Sequence, residues 1–172
     1  MPVTYDGLMS LKSIGDEFTY TDRETMLYAL GVGMSRDPMD ESELRYTYEN
    51  DLKTMPTMAS VIAWAQRTIG QSGINYLMVV HGEQRLTLHQ PLPASATIIS
   101  DERVTGAVDK GPGKGALIFT EKNIRLKSGE KLCTVGGTIF ARGDGGFGGP
   151  STGALEPHPI PERKADAVCE TD

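Results

Sequence analysis

The 172-residue sequence predicts an α+β domain in which an antiparallel sheet wraps a central helix. Three observations lead there. An apolar face of helical period runs from Met58 to Ile69, long β-prone runs follow from Ile74 to Arg142, and short turn signals divide those runs as hairpins require. Residues 1–142 form the predicted domain.

Each element has a local reason. Thr21-Asp22-Arg23-Glu24 reads as a capping box, followed by apolar Met26, Leu27 and Leu30, and Gly31 supplies a stop. Leu44 to Tyr48 alternates Leu44, Tyr46 and Tyr48 against Arg45 and Thr47, which predicts a short strand. In the central helix Met58, Val61, Ile62, Ala65 and Ile69 make one apolar stripe, and Pro56 stands near its start, where a missing amide is harmless. Tyr76 to Val80, Gln84 to His89, Ala96 to Val108, Ala116 to Leu126 and Lys131 to Arg142 are the strand candidates. Pro91-Leu92-Pro93, Asp109 to Gly115 and Ser128-Gly129 separate them.

After Arg142 the composition changes. Six of the 20 glycines lie between Gly143 and Gly153, and Pro150, Pro157, Pro159 and Pro161 follow, so residues 143–172 read as an extended Gly/Pro-rich linker or tail.

Composition excludes several function classes. With 17 Lys and Arg against 23 Asp and Glu, a formal charge of -6 and no basic run, the chain lacks the electrostatic footprint of a nucleic-acid binder. No stretch reaches the roughly 20 apolar residues of a membrane-spanning helix. Met1 to Asp16 lacks a secretory pattern and Glu170-Thr171-Asp172 is no peroxisomal address, so the expected location is cytoplasmic. Cys133 and Cys169 lack metal or redox spacing and are expected as reduced thiols. His81, His89 and His158 show no metal-binding spacing, so no metal is expected; no separate cofactor is expected either.

Two glycine motifs resemble phosphate binders without their context. Gly143-x-Gly145-x-x-Gly148 is followed by Gly149-Pro150, which forbids the helix that a dinucleotide site needs. Gly111-Pro112-Gly113-Lys114-Gly115 lacks a Ser or Thr after its lysine and leads into a strand, so it reads either as a hairpin turn or as a loop placing Lys110 or Lys114 against a phosphate. His81-Gly82-Glu83 joins an apolar run to an alternating one, and Gly82 would let a thin ligand approach the backbone. Glu49 is a single carboxylate without an evident acid or base partner.

Taken in order, Tyr28-Ala29-Leu30-Gly31-Val32-Gly33, Tyr48-Glu49, Pro56-Thr57, His81-Gly82-Glu83-Gln84, Pro91-Leu92-Pro93, Asp109-Lys110-Gly111 and the stretch from Arg142 to Gly149 resemble the N-terminal half of MaoC-like, type-two (R)-specific enoyl-CoA hydratases, including the hydratase unit of the peroxisomal multifunctional enzyme. The resemblance implies a single hot-dog fold here, with a second hot-dog half carrying an Asp-x-Asn-x-x-His motif that activates water. It implies that His81 and Gly82 contact the acyl-CoA, that Lys110 meets its coenzyme A portion, and that Glu49 has a supporting role. Where family members commonly have aromatic and glycine residues after the Pro-Thr pair, this chain reads Met58-Ala59-Ser60.

The residues five before His81, His89 and His158 are Tyr76, Gln84 and Gly153, so this chain has no such Asp/His dyad. The expected function is therefore the acyl-CoA-binding half of a 2-enoyl-CoA hydratase or 3-hydroxyacyl-CoA dehydratase, completed by a catalytic hot-dog partner. A non-catalytic acyl-CoA-binding homodimer and a hot-dog thioesterase using Glu49 are the alternatives, since one fold hosts several chemistries.

Overall fold

The computed structural model describes residues 2–64 and 68–168. Five antiparallel strands form one sheet: β1 (Lys12–Tyr20), β2 (Val79–Leu88), β3 (Ala96–Asp109), β4 (Ala116–Leu126) and β5 (Lys131–Ala141), in the spatial order β1-β3-β4-β5-β2. Three short helices precede or follow β1: α1 (Tyr5–Met9), α2 (Asp22–Gly31) and α3 (Glu41–Leu44). This is the α+β hot-dog arrangement, with β1 and β2 at the two edges.

The long runs after Ile74 fold as strands because their apolar residues recur at every second position and one face can be buried. Ile98 and Val104 of β3, Ile118 and Ile124 of β4, and Cys133 and Val135 of β5 are all buried on the inner face. The Pro91-Leu92-Pro93 turn is a structural knot: the Pro93 carbonyl accepts from Tyr20 Oη and Thr54 Oγ1, both at 2.8 Å, and the Ala94 carbonyl accepts from Thr25 Oγ1 at 2.7 Å.

Several local expectations change. Met58 to Ile69 is not a continuous α-helix. A 3-10 turn over Pro56–Ser60 is followed by turns to Trp64, and a second 3-10 turn covers Ile69–Gln71. Within this segment Met58, Ala59 and Ala63 are buried, whereas Val61 and Trp64 are largely exposed, so the apolar period is spent differently; Ala65 lies outside the described residues. The segment still covers the inner face of the sheet through the cluster containing Met58, Ala63, Ile124 and Leu132.

Leu44 to Tyr48 is not a strand either. Asp40 caps α3 by accepting from the Ser42 amide at 2.9 Å, and turns continue through Thr47, because a five-residue alternation with both Arg45 and Tyr48 exposed offers no buried face. The stop of α2 is Gly33 rather than Gly31. Gly33 adopts φ +92°, and the Gly33 and Met34 amides donate to the Leu30 and Ala29 carbonyls at 3.0 Å, the paired closure of a Schellman motif. The capping box at Thr21 and Glu24 forms as expected.

After β5 the chain folds back on the domain. Asp109 Oδ1 accepts from the Gly146 amide and Oδ2 from the Gly148 amide, while Phe147 packs beside Leu8, Ile74 and Ile118. The Asp109 amide donates to the Pro150 carbonyl at 2.8 Å, and the Glu156 carbonyl accepts from Arg85 Nη2 at 2.6 Å. Asp109 belongs to β3 and Arg85 to β2, so residues 150–156 cross the sheet from one strand to the other. Residues 151–168 are exposed and have no regular secondary structure. Cys169 lies outside the described residues.

Candidate functional site

A cavity of about 150 Å³ lies between the sheet and the broken segment that covers it, with His81, Gln84, Thr120, Lys122 and Ile139 on the sheet side and Trp64 opposite. Strand register explains its lining. His81 pairs with Ile139, Thr120 with Gly137 and Lys122 with Val135, so these side chains stand in rows on one face.

His81 stands at the shallow row. β2 is bulged between His81 and Glu83, and a Cβ on Gly82 would lie 3.1 Å from the Thr138 carbonyl oxygen, so the backbone there tolerates only a small residue. His81 Nε2 lies 3.3 Å from Gln84 Oε1, and Gln84 Nε2 donates to the Gly136 carbonyl at 3.0 Å. That second bond fixes the Gln84 amide, so the Nε2–H tautomer of His81 donates to it and Nδ1 is left as an acceptor.

The deep row is charged. Lys122 Nζ donates to the Ala63 carbonyl at 2.7 Å and lies 3.6 Å from Glu102 Oε1; both side chains are only 14% exposed. Burial, with the Glu102 charge as a second cause, pushes the hydroxyl of Tyr76, another lining residue, above its ordinary pKa. These groups were missed in the sequence although a signal existed. Glu102 is in phase with the inward Ile98 and Val104, and Lys122 with Ile118 and Ile124, so two charges interrupt apolar stripes.

Lys110 is elsewhere. Its ammonium sits 5.2 Å from the centre of the Phe140 ring, and Phe140 follows cavity-lining Ile139 in β5, so it projects from the opposite face of the sheet. The structure thus brings His81 to the cavity, with Gly82 next to it in the β2 bulge, and leaves Lys110 just after the end of β3. Glu49 is exposed in a bend and does not line the cavity. On the outer face Arg85 pairs with Glu83 at 2.8 Å and holds its carboxyl below the usual range. Among the described residues no group of three or more His, Cys, Asp or Glu could hold a metal ion, and no helix is long and apolar enough to cross a membrane.

The model of the MFE-2 hydratase 2 N-terminal domain matches residues 18–143. The chain belongs to that family. An enoyl-CoA hydratase 2 of Arabidopsis thaliana, named as peroxisomal, is 32% identical to this MFE-2 hydratase 2 N-terminal domain over 96% of the chain and 59% of its own length. Full-length peroxisomal multifunctional enzyme type 2 from Drosophila melanogaster superposes with a TM-score of 0.69 at 31% identity, covering 90% of this chain and 26% of that one. A MaoC-like dehydratase from Phytophthora capsici shares the fold, with a TM-score of 0.72 at 24% identity over 95% of this chain and 58% of that one. The chain therefore spans about three fifths of the Arabidopsis and Phytophthora proteins and a smaller share of the Drosophila one.

Proposed function

We propose that this chain is the acyl-CoA-binding half of an (R)-specific 2-enoyl-CoA hydratase or 3-hydroxyacyl-CoA dehydratase and works with a second hot-dog half that carries the Asp/His dyad. The observation that carries this reading is the cavity against the sheet, which His81 lines beside the bulge at Gly82. The acyl group enters that cavity, the pantetheine arm passes Gly82, and His81 Nδ1 accepts from an amide N–H of the arm. Lys110 reaches the coenzyme A phosphates after leaving the Phe140 ring, a weak hold of about 0.5–1 kcal/mol at an exposed site. Glu49 acts from outside the cavity, as a supporting charge.

The partner meets β2. This edge strand presents backbone groups on its outer side, and Leu77 and Met78 before it and Val80 within it are exposed, which favours addition of another sheet. A copy of this chain fits the same edge chemistry, so an acyl-CoA-binding homodimer is the second reading. The cytoplasmic setting and the lack of a separate cofactor belong to the same proposal.

The test mixes the purified chain with a MaoC-like chain containing Asp-x-Asn-x-x-His and follows hydration of a medium-chain trans-2-enoyl-CoA. The expected result is negligible turnover by this chain alone, with turnover and a heterodimer mass in the mixture. Full turnover by the chain alone would overturn the split site, and tight acyl-CoA binding by a homodimer with no turnover in the mixture would favour the second reading.

A further inference from the structure

We propose that the deep end of the cavity selects an acyl group with a hydroxyl on its distal part, and that Lys122 and Glu102 are the residues that make the selection. This rests on the acyl group entering the cavity, and goes beyond it by naming the tail chemistry. Lys122 has three donors: one is used on the Ala63 carbonyl at 2.7 Å, and a second points to Glu102 at 3.6 Å. Glu102 offers only acceptors, and among the described residues no donor lies within hydrogen-bonding distance of its carboxylate.

A saturated tail in this space would strip water from both charges and return nothing, which is unfavourable for any buried ion. A carboxylate tail would bring a second negative charge beside Glu102. A hydroxyl donates to Glu102 and accepts from Lys122 at once, and adds no charge to a pair that is already neutral. The depth suits a distal group: Lys122 pairs with Val135 and His81 with Ile139, four residues apart on β5. At ~3.3 Å per residue that separates the two by about 13 Å along the strand.

The experiment is calorimetry of the full chain with ω-hydroxyoctanoyl-CoA and with nonanoyl-CoA, which places a methyl where the first has its hydroxyl. The hydroxylated thioester should bind about tenfold more tightly, the scale of one hydrogen bond to a charged group. Glu102→Gln, similar in shape to the wild-type residue, should remove most of that preference. The double variant Lys122→Met with Glu102→Gln should invert it. Lys122 also pins the Ala63 carbonyl, so circular dichroism accompanies each variant, and the wild-type comparison stands without any variant. Equal or tighter binding of nonanoyl-CoA by the wild-type chain overturns this inference and leaves the acyl-CoA reading intact. A preference unchanged in folded Glu102→Gln also overturns it. Failure of both thioesters to bind removes the acyl-CoA reading and this inference together.

Discussion

Asp109 Oδ1 accepts the backbone amide of Gly146 at 2.7 Å, tying the end of β3 to a residue beyond the end of β5. The same carboxylate accepts from the Gly111 and Gly148 amides, both at 2.9 Å. It is a clasp for a glycine-rich segment that leaves no room for a side chain at Gly145, where a Cβ would lie 2.5 Å from the Gly111 carbonyl oxygen.

Asp109→Ala should therefore release the segment around Gly146. Hydrogen exchange should show the Gly146 and Gly148 amides exchanging roughly tenfold faster or more, as expected for donors that lose a charged acceptor. Unchanged protection would mean that packing of Phe147 holds the segment unaided. The same clasp has a pH signature. The Gly146 amide first, with those of Gly111 and Gly148, holds the Asp109 carboxyl below its ordinary value, so the unfolded chain binds the proton more readily. Its contribution is complete above the unfolded aspartate value of about 3.9 and is lost as pH falls through the lower folded value. Asp109→Ala should flatten the acid limb of a stability profile in that window.

The two glycines at the end of α2 should respond in opposite directions. Gly33 has φ +92° and a Cβ there would meet Arg36 Nε at 3.1 Å, so Gly33→Ala should destabilise the fold by about 1 kcal/mol or more. A Cβ on Gly31 meets nothing within 4 Å, and in a helix Gly31→Ala should stabilise by about 0.5–1 kcal/mol. Urea midpoints of the two variants check the sign.

Leu8 of α1 is 1% exposed and packs with Val104, Ala107 and Ile118. Leu8→Ala should cost about 2–5 kcal/mol, the range for a large-to-small change in a closed core. A loss below about 1 kcal/mol would show that α1 is dispensable to the domain.

Cys133 is fully buried, and burial pushes its thiol up to about 11. In a Cys169→Ser background, labelling at neutral pH should be limited by opening of the fold, since the thiolate is both scarce and enclosed. Labelling at the rate of a free thiol would contradict this environment.

The sheet was readable because β3, β4 and β5 alternate strongly, and the Thr21–Glu24 capping box marked α2. β1 was not readable: Lys12, Asp16 and Glu17 interrupt its apolar residues, and its register shifts where Gly15 takes φ +78°. The helical stripe at Met58 to Ile69 misled because periodicity records which residues are apolar, while the tertiary contacts of Lys122 with Ala63 lie far away in sequence. His81 and Gly82 were visible as a junction between two strand patterns, which the structure merges into bulged β2. Gln84, Glu102 and Lys122 converge only through strand pairing, and the sequence marks Glu102 and Lys122 only as charges in apolar stripes, without showing that they meet.

The interrupted segment over the sheet sets a conflict between robustness and use. Substitutions that let Pro56 to Gln71 wind into one regular helix would raise helical order and free Lys122 from the Ala63 carbonyl. They would also move Ser60, Trp64 and Ile69, which border the cavity. Selection for thermal hardiness at this segment would thus act on the cavity's own wall, and the shape of that space would change before the fold showed any fault.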